Sequence, residues 1–149
     1  IMGMKYLLDT DHISILQRQS VSEFSALISY IAQLSSEDFA ISIISFHEQI
    51  MGCHTYINRA RSSSDVVRGY GMLARVLKTF SVSTVLPFDA AAGAVFDGLL
   101  AQRIRVATMD LRIASIALSR NMILLTRNEN DFRKIPGLKT EDWTVMKAD

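Results

Sequence analysis

Short, dense apolar runs alternate along the chain with longer stretches in which apolar residues recur every three or four positions. Lys5–Leu8, Phe39–Ile44, Val82–Leu86 and Met122–Leu125 are rich in branched and aromatic residues and read as buried strands. Asp11 to about Arg18 reads as a helix capped by Thr10 or Asp11. Ser22 to about Leu34 is a second helix, with Phe24, Leu27, Ile28, Ile31 and Leu34 at helical spacing. Ser45 to about Arg61 is a long helix. The turn Ser62-Ser63-Ser64 leads into Asp65–Phe80, with Val66, Tyr70, Leu73 and Leu77 on one face. Pro87 ends the third strand, and Asp89 caps a helix from Ala90 to about Arg103. Met109–Ser119 is a mostly apolar helix. A short helix at Asn130–Arg133 and the turn Pro136-Gly137 precede a last strand around Trp143–Met146.

Strands alternating with helices predict a three-layer α/β/α domain around a central, mostly parallel sheet. Ligands of such sheets bind beyond the carboxyl ends of the strands. Four acidic residues stand where apolar runs give out. Asp9 closes Tyr6–Leu8, Glu48 follows Ala40–Ile44, Asp110 opens Leu111–Leu118 and Asp131 follows Met122–Leu125. A carboxylate at the end of a buried strand costs desolvation free energy unless something cationic meets it. If the fold gathers these acids, a divalent metal is their simplest partner.

Each acid also has a local reading. Asp9 and Asp11 can form or cap a turn with Thr10. Ser45-Phe46-His47-Glu48 has capping-box spacing, which would turn Glu48 back on its own helix. Against that, Gly52 lies four residues on, where a missing side chain would let another element or a ligand approach Glu48. Asp110 shares a face with Ile113, Ala114 and Ala117, on a helix expected to be buried on most sides; a carboxylate there also suits the helix dipole. Asp131 lies in Thr126-Arg127-Asn128-Glu129-Asn130-Asp131, where a solvated loop carboxylate is the plain reading and Asn128 could offer an oxygen to a metal's water. His12, His47 and His54 lack metal-ligand spacing and read as surface or partly buried histidines. Trp143 and Phe132 read as core.

Composition narrows the class. The 149 residues, 49% hydrophobic and 21% charged, suit one globular domain over residues 1–149. Ile1-Met2-Gly3 reads as added residues or an alternative start, with translation beginning at Met2 or Met4. No apolar run approaches the roughly 20 residues of a membrane span, and no signal-peptide layout opens the chain. Cys53 is a single cysteine, so the chain has no internal disulfide or cysteine-based zinc site, and a cytoplasmic location is expected. The net charge of +1 neither favours nor excludes nucleic acid. Arg59, Arg61, Arg68, Arg75 and Lys78, with the arginines of the C-terminal half, could supply a phosphate-binding face.

Taken together, Tyr-Leu-Leu-Asp9-Thr-Asp-His, Ser45-x-x-Glu48-x-x-x-Gly52, Met109-Asp110-Leu-x-Ile-Ala-Ser, Leu125-Thr126-Arg-Asn128-x-x-Asp131-Phe132, Ile135-Pro136-Gly137-Leu138 and Glu141-Asp142-Trp143 resemble the PIN-domain ribonucleases, specifically toxins of the VapC type. The resemblance covers nearly the whole chain. It implies a PIN-like fold and an endoribonuclease toxin, dependent on Mg²⁺ or Mn²⁺, that hydrolyses RNA, tRNA among the candidates. It implies a cognate antitoxin and a homodimer. Asp9, Glu48 and Asp110 match the family's metal-binding acids, and Asp131 its more variable fourth. Asn128 stands where some members carry that fourth acid. Gln102–Thr108 has no glycine where similar toxins often have one. Thr10 and Thr126 are expected to hydrogen-bond ligands or phosphate, and Arg112 and Arg127 to contact the RNA backbone. Two other readings compete. Asp9-Thr10-Asp11 after a strand suggests an aspartyl-nucleophile phosphohydrolase, although a second acidic pair and a lysine in the expected context are missing. A non-catalytic RNA-binding module is the other.

Overall fold

The computed structural model describes residues 5–19 and 21–145. In chain order the elements are β1 (Tyr6–Leu8), α1 (Thr10–Arg18), α2 (Val21–Ile31), a 3-10 turn (Ser36–Asp38), β2 (Phe39–Ser42), α3 (Ile43–Asn58), α4 (Ser63–Ser81), β3 (Val85–Leu86), α5 (Ala90–Ala101), α6 (Thr108–Ser119), β4 (Ile123–Leu125), α7 (Glu129–Phe132) and β5 (Thr140–Glu141). The strands form one sheet in the order β3-β2-β1-β4-β5, and every pairing is parallel.

Successive strand residues point to opposite faces, and the core divides accordingly. Leu7, Ala40, Leu86 and Leu124 pack with Leu99 of α5 and with Leu111, Ile113, Ala114 and Ala117 of α6. Their neighbours Leu8, Ile41 and Leu125 pack on the other face with Ile13 and Ile15 of α1, Leu27 of α2, Cys53 of α3 and Val76 and Phe80 of α4. Both faces are therefore covered, giving the three-layer α/β/α arrangement expected, and the strands read as continuous apolar runs because neither face is wet. Among the described residues no helix is long and apolar enough to cross a membrane.

Several expectations are corrected. The last strand is Thr140–Glu141, paired with Leu124 and Leu125, and not Trp143–Met146. Trp143 is buried because it packs among Tyr6, Tyr30 and Phe39, and Met146, like Ile1-Met2-Gly3, lies outside the described residues. The cap of α1 is Asp9, whose carboxylate accepts the Thr10 N–H at 2.8 Å, in place of Thr10 or Asp11. The cap of α3 is Ser42, whose hydroxyl accepts the Ser45 N–H at 3.0 Å. Helix α3 thus begins two residues before Ser45, β2 is shorter than Phe39–Ile44, and Glu48 falls too deep in the helix to be a capping-box partner. Asp89 caps α5 as expected, accepting the Ala92 N–H. In the glycine-free segment after α5, Arg103 adopts φ 56°, a left-handed conformation that costs a non-glycine residue roughly 1 kcal/mol.

Candidate active site

Register assembles the site. Leu8 of β1 pairs with Ile41 of β2 on one side and Leu125 of β4 on the other. The next residues, Ser42, Asp9 and Thr126, therefore stand side by side at the carboxyl edge, and the Asp9 N–H donates to the Leu125 carbonyl at 2.9 Å. The chain runs from β1 outward through β2 and β3, then returns to β4 on β1's other flank. The strand order reverses between β1 and β4, where open parallel sheets part to leave a ligand crevice.

Asp9 is buried, at 6% exposure. The Thr126 hydroxyl donates to its second oxygen at 2.8 Å. Glu48 reaches the same edge from the second turn of α3, where it accepts the Thr10 hydroxyl at 2.9 Å. Thr10 is also 2.9 Å from the Ser45 hydroxyl, which is 3.4 Å from that of Ser42. With one hydrogen each, these groups form a single directed chain: Ser42 donates to Ser45, Ser45 to Thr10 and Thr10 to Glu48. This chain fixes the carboxylate relative to the ends of β1 and β2. Ser42 and Ser45 are site residues that the sequence reading missed as such; both are fully buried.

Asp110 sits in the first turn of α6, partly buried. Burial, followed by the charges of Glu48, Asp131 and Asp11, pushes its carboxyl up to about 6. Burial, the Asp11 charge and a smaller push from Asp110 raise Asp9 to about 7, against the lowering effects of the Thr126 hydroxyl and the Thr10 N–H. The acids therefore share one electrostatic environment. Asp131 differs: the Asn128 amide, 3.0 Å away, and Lys134 hold it below the usual carboxylate range. Asn128 spends its amide donor on Asp131, so the two form one unit at the rim.

The remaining predicted residues divide. The exposed Arg127 has a guanidinium nitrogen 4.0 Å from Glu23 of α2. Arg112 lies over the Phe96 ring, 5.7 Å from its centroid, and contacts the Met109 sulfur. Among the described residues, nothing comes within 4 Å of a Cβ added at Gly52, so no other element makes the close approach and the space beside Glu48 is open. His12, expected at the surface or partly buried, is fully buried. A cavity of about 490 Å³ on the α1–α2 side is lined by Leu16, Ile31, Phe39 and Val82 among others, and none of the four acids reaches it.

The donor set suits a hard divalent cation: carboxylates and hydroxyls, with two carboxyls raised by burial and by neighbouring carboxylates. Among the described residues, no lysine or arginine forms an ion pair with Asp9, Glu48 or Asp110. Nor, among the described residues, do three His, Cys, Asp or Glu side chains stand as a ready metal cage.

No protein-family model matches the chain. Curated relatives do. The tRNA(fMet)-specific endonuclease VapC of Shigella flexneri is 41% identical over 64 residues, 40% of this chain and 48% of that protein. The matched stretch thus spans about half the length of that relative. Ribonuclease VapC1 of Haemophilus influenzae strain R2866 is 28% identical over 144 residues, 95% of this chain and 99% of that protein. Among solved structures, the DNA-bound VapBC of Salmonella typhimurium superimposes with a TM-score of 0.73 at 28% identity, over 94% of this chain and 98% of that one. Along nearly its whole length the chain resembles VapC-type PIN-domain proteins. The VapBC-1 structure of nontypeable H. influenzae, at 23% identity with a TM-score of 0.72 and covering 95% of this chain, carries the same fold. Asp9 follows β1 and caps α1, Glu48 lies on α3 and Asp110 in the first turn of α6.

Proposed function

We propose that this chain is the toxin of a toxin–antitoxin pair, an endoribonuclease that hydrolyses RNA phosphodiester bonds with Mg²⁺ or Mn²⁺ and is silenced by a cognate antitoxin. The carrying observation is the group Asp9, Glu48 and Asp110, two of them with raised carboxyls and none with a cationic side chain of its own. Free energy stored in such a group is released when a cation enters. The relatives' names, as ribonucleases and as VapBC complexes, support the RNA substrate and the antitoxin. A homodimer and a cytoplasmic location belong to the same reading.

A divalent cation, when bound, lowers the pKa of water and offsets charge on the phosphate. Asp9, Glu48 and Asp110 hold it. The hydroxyl chain from Ser42 to Glu48 and the Thr126 hydroxyl on Asp9 keep two of those carboxylates oriented without reorganisation during the reaction. Asp131, with Asn128, adds negative charge at the rim and orders the approach to Asp110. Arg127, exposed after β4, offers a backbone phosphate a guanidinium.

The test is cleavage of purified tRNA by the purified chain, with Mn²⁺, with Mg²⁺ and with EDTA. Metal-stimulated cleavage that disappears in Asp9→Asn and Asp110→Asn supports the reading. Cleavage of equal rate in those variants would exclude it.

A further inference from the structure

Asp11 and His12 stand outside the proposed ligand set, yet their polar contacts tie Trp143 to the Thr126–Asn128 segment. His12 is 0% exposed. Its Nε2 accepts the Trp143 backbone N–H at 3.1 Å. A backbone N–H can only donate, so Nε2 carries the lone pair and the neutral ring bears its hydrogen on Nδ1. That hydrogen points at Asp11 Oδ1, 2.7 Å away. The other oxygen of Asp11 accepts the Arg127 N–H at 2.9 Å and lies 3.3 Å from the Thr126 hydroxyl. Thr126 has one hydrogen. It goes to Asp9 at 2.8 Å, while the hydroxyl accepts the Asn128 N–H at 3.0 Å. The peptide after Thr126 is thus held by Asp11, and its hydroxyl is aimed by Asn128.

We infer that Asp11, oriented by the buried neutral imidazole of His12, is a positioning residue that holds the Thr126–Asn128 segment so that the Thr126 hydroxyl stays on Asp9. The role rests on the ribonuclease reading above. Only a residue that accepts on both sides satisfies the arrangement. An asparagine at position 11 could accept the Arg127 N–H, but its amide hydrogens would then face the Nδ1–H of His12. Switching the ring tautomer would turn Nε2–H toward the Trp143 N–H. One hydrogen bond is lost whichever way the groups turn. Retaining an aspartate beside the already buried Asp9 has an electrostatic cost, seen as the Asp11 charge raising the Asp9 carboxyl, so the acceptor on both sides is what the position needs.

The experiment uses the full chain with Mn²⁺ and purified tRNA. It measures kcat per folded molecule and KM for the wild type, Asp11→Asn and Asp11→Ser, with ¹⁵N ring shifts of His12 read in the absence of RNA. The expected wild-type signature is protonated Nδ1 and unprotonated Nε2, altered in Asp11→Asn. The expected kinetics are a loss of kcat of roughly 10- to 100-fold, the range for groups that orient ligands, with KM for tRNA changed by less than about threefold. The serine variant removes the carboxylate without placing amide hydrogens against the ring, so it reports the role if the asparagine variant does not fold. Wild-type kcat per folded molecule in the variants, failure of both to fold, or a wild-type ring protonated on Nε2 would each overturn the inference. An inactive wild type would remove the ribonuclease reading and this role together, whereas an active wild type with unaffected variants removes this role alone.

Discussion

At Asp110, burial and the charges of Glu48, Asp131 and Asp11 hold the carboxyl near 6. Asparagine keeps the shape and removes the charge. Asp110→Asn is therefore expected to lower metal-dependent cleavage by more than about 100-fold, beyond the loss typical of groups that only orient ligands. The same variant is expected to raise the metal-free Tm at pH 8 by roughly 2–4 °C, as about 1 kcal/mol would in a domain of this size. A Tm below the wild type's would contradict the account of repulsion. Thr126→Val removes the hydroxyl that Asp9 accepts and should reduce cleavage about 10- to 100-fold with the fold intact by circular dichroism. The acids were legible because each interrupts an apolar run, a pattern visible in one chain. The hydroxyl chain through Ser42 and Ser45 was not, because a serine before a helix looks the same whether it caps or relays a hydrogen bond. His12 was illegible for a different reason: its partner Trp143 lies 131 residues away.

The helices carry their own evidence. Helices α3 and α4 pack closely at Gly69, where an added Cβ would meet Ile57 Cγ1 at 2.5 Å, while Gly71 has open space. Helix propensity favours alanine over glycine at both by about 1 kcal/mol. Gly71→Ala should accordingly stabilise, whereas Gly69→Ala should destabilise by up to roughly 2 kcal/mol once overpacking of about 1–3 kcal/mol is set against propensity. Paired denaturation midpoints check this, and equal shifts would contradict the close crossing. Long elements with strong periodicity, such as α4 and α6, were readable within a residue or two. The edge strand β5 was not. Two residues carry no alternation, and the bulk of Trp143, which drew the strand to the wrong place, serves the cluster with Tyr6, Tyr30 and Phe39. Glu48 shows the same limit: its capping-box spacing was genuine in sequence, but β2 ends at Ser42 and the helix starts earlier.

For the whole molecule, the raised carboxyls make stability depend on pH in a definite direction. Asp9 moves from 3.8 to about 7 and Asp110 from 3.8 to about 6 on folding. Between those values the folded chain holds more protons than the unfolded one, so their contribution is present at low pH and lost as pH rises through the folded values. The metal-free Tm of the wild type, relative to Asp9→Asn/Asp110→Asn, should fall as pH is raised from 5 to 8, and Mn²⁺ should raise it more at pH 8 than at pH 5. A pH-independent difference would contradict this. The parallel sheet that creates this field was predictable from alternating strands and helices. The register that sets Ser42, Asp9 and Thr126 abreast was not, because pairing partners far apart in sequence leave no local mark. The most direct test of the central claim is the anomalous difference map of a Mn²⁺-soaked crystal. The account predicts a Mn²⁺ peak bonded to, or one water away from, the carboxylates of Asp9, Glu48 and Asp110. A map at saturating Mn²⁺ with no peak among those three acids would contradict it.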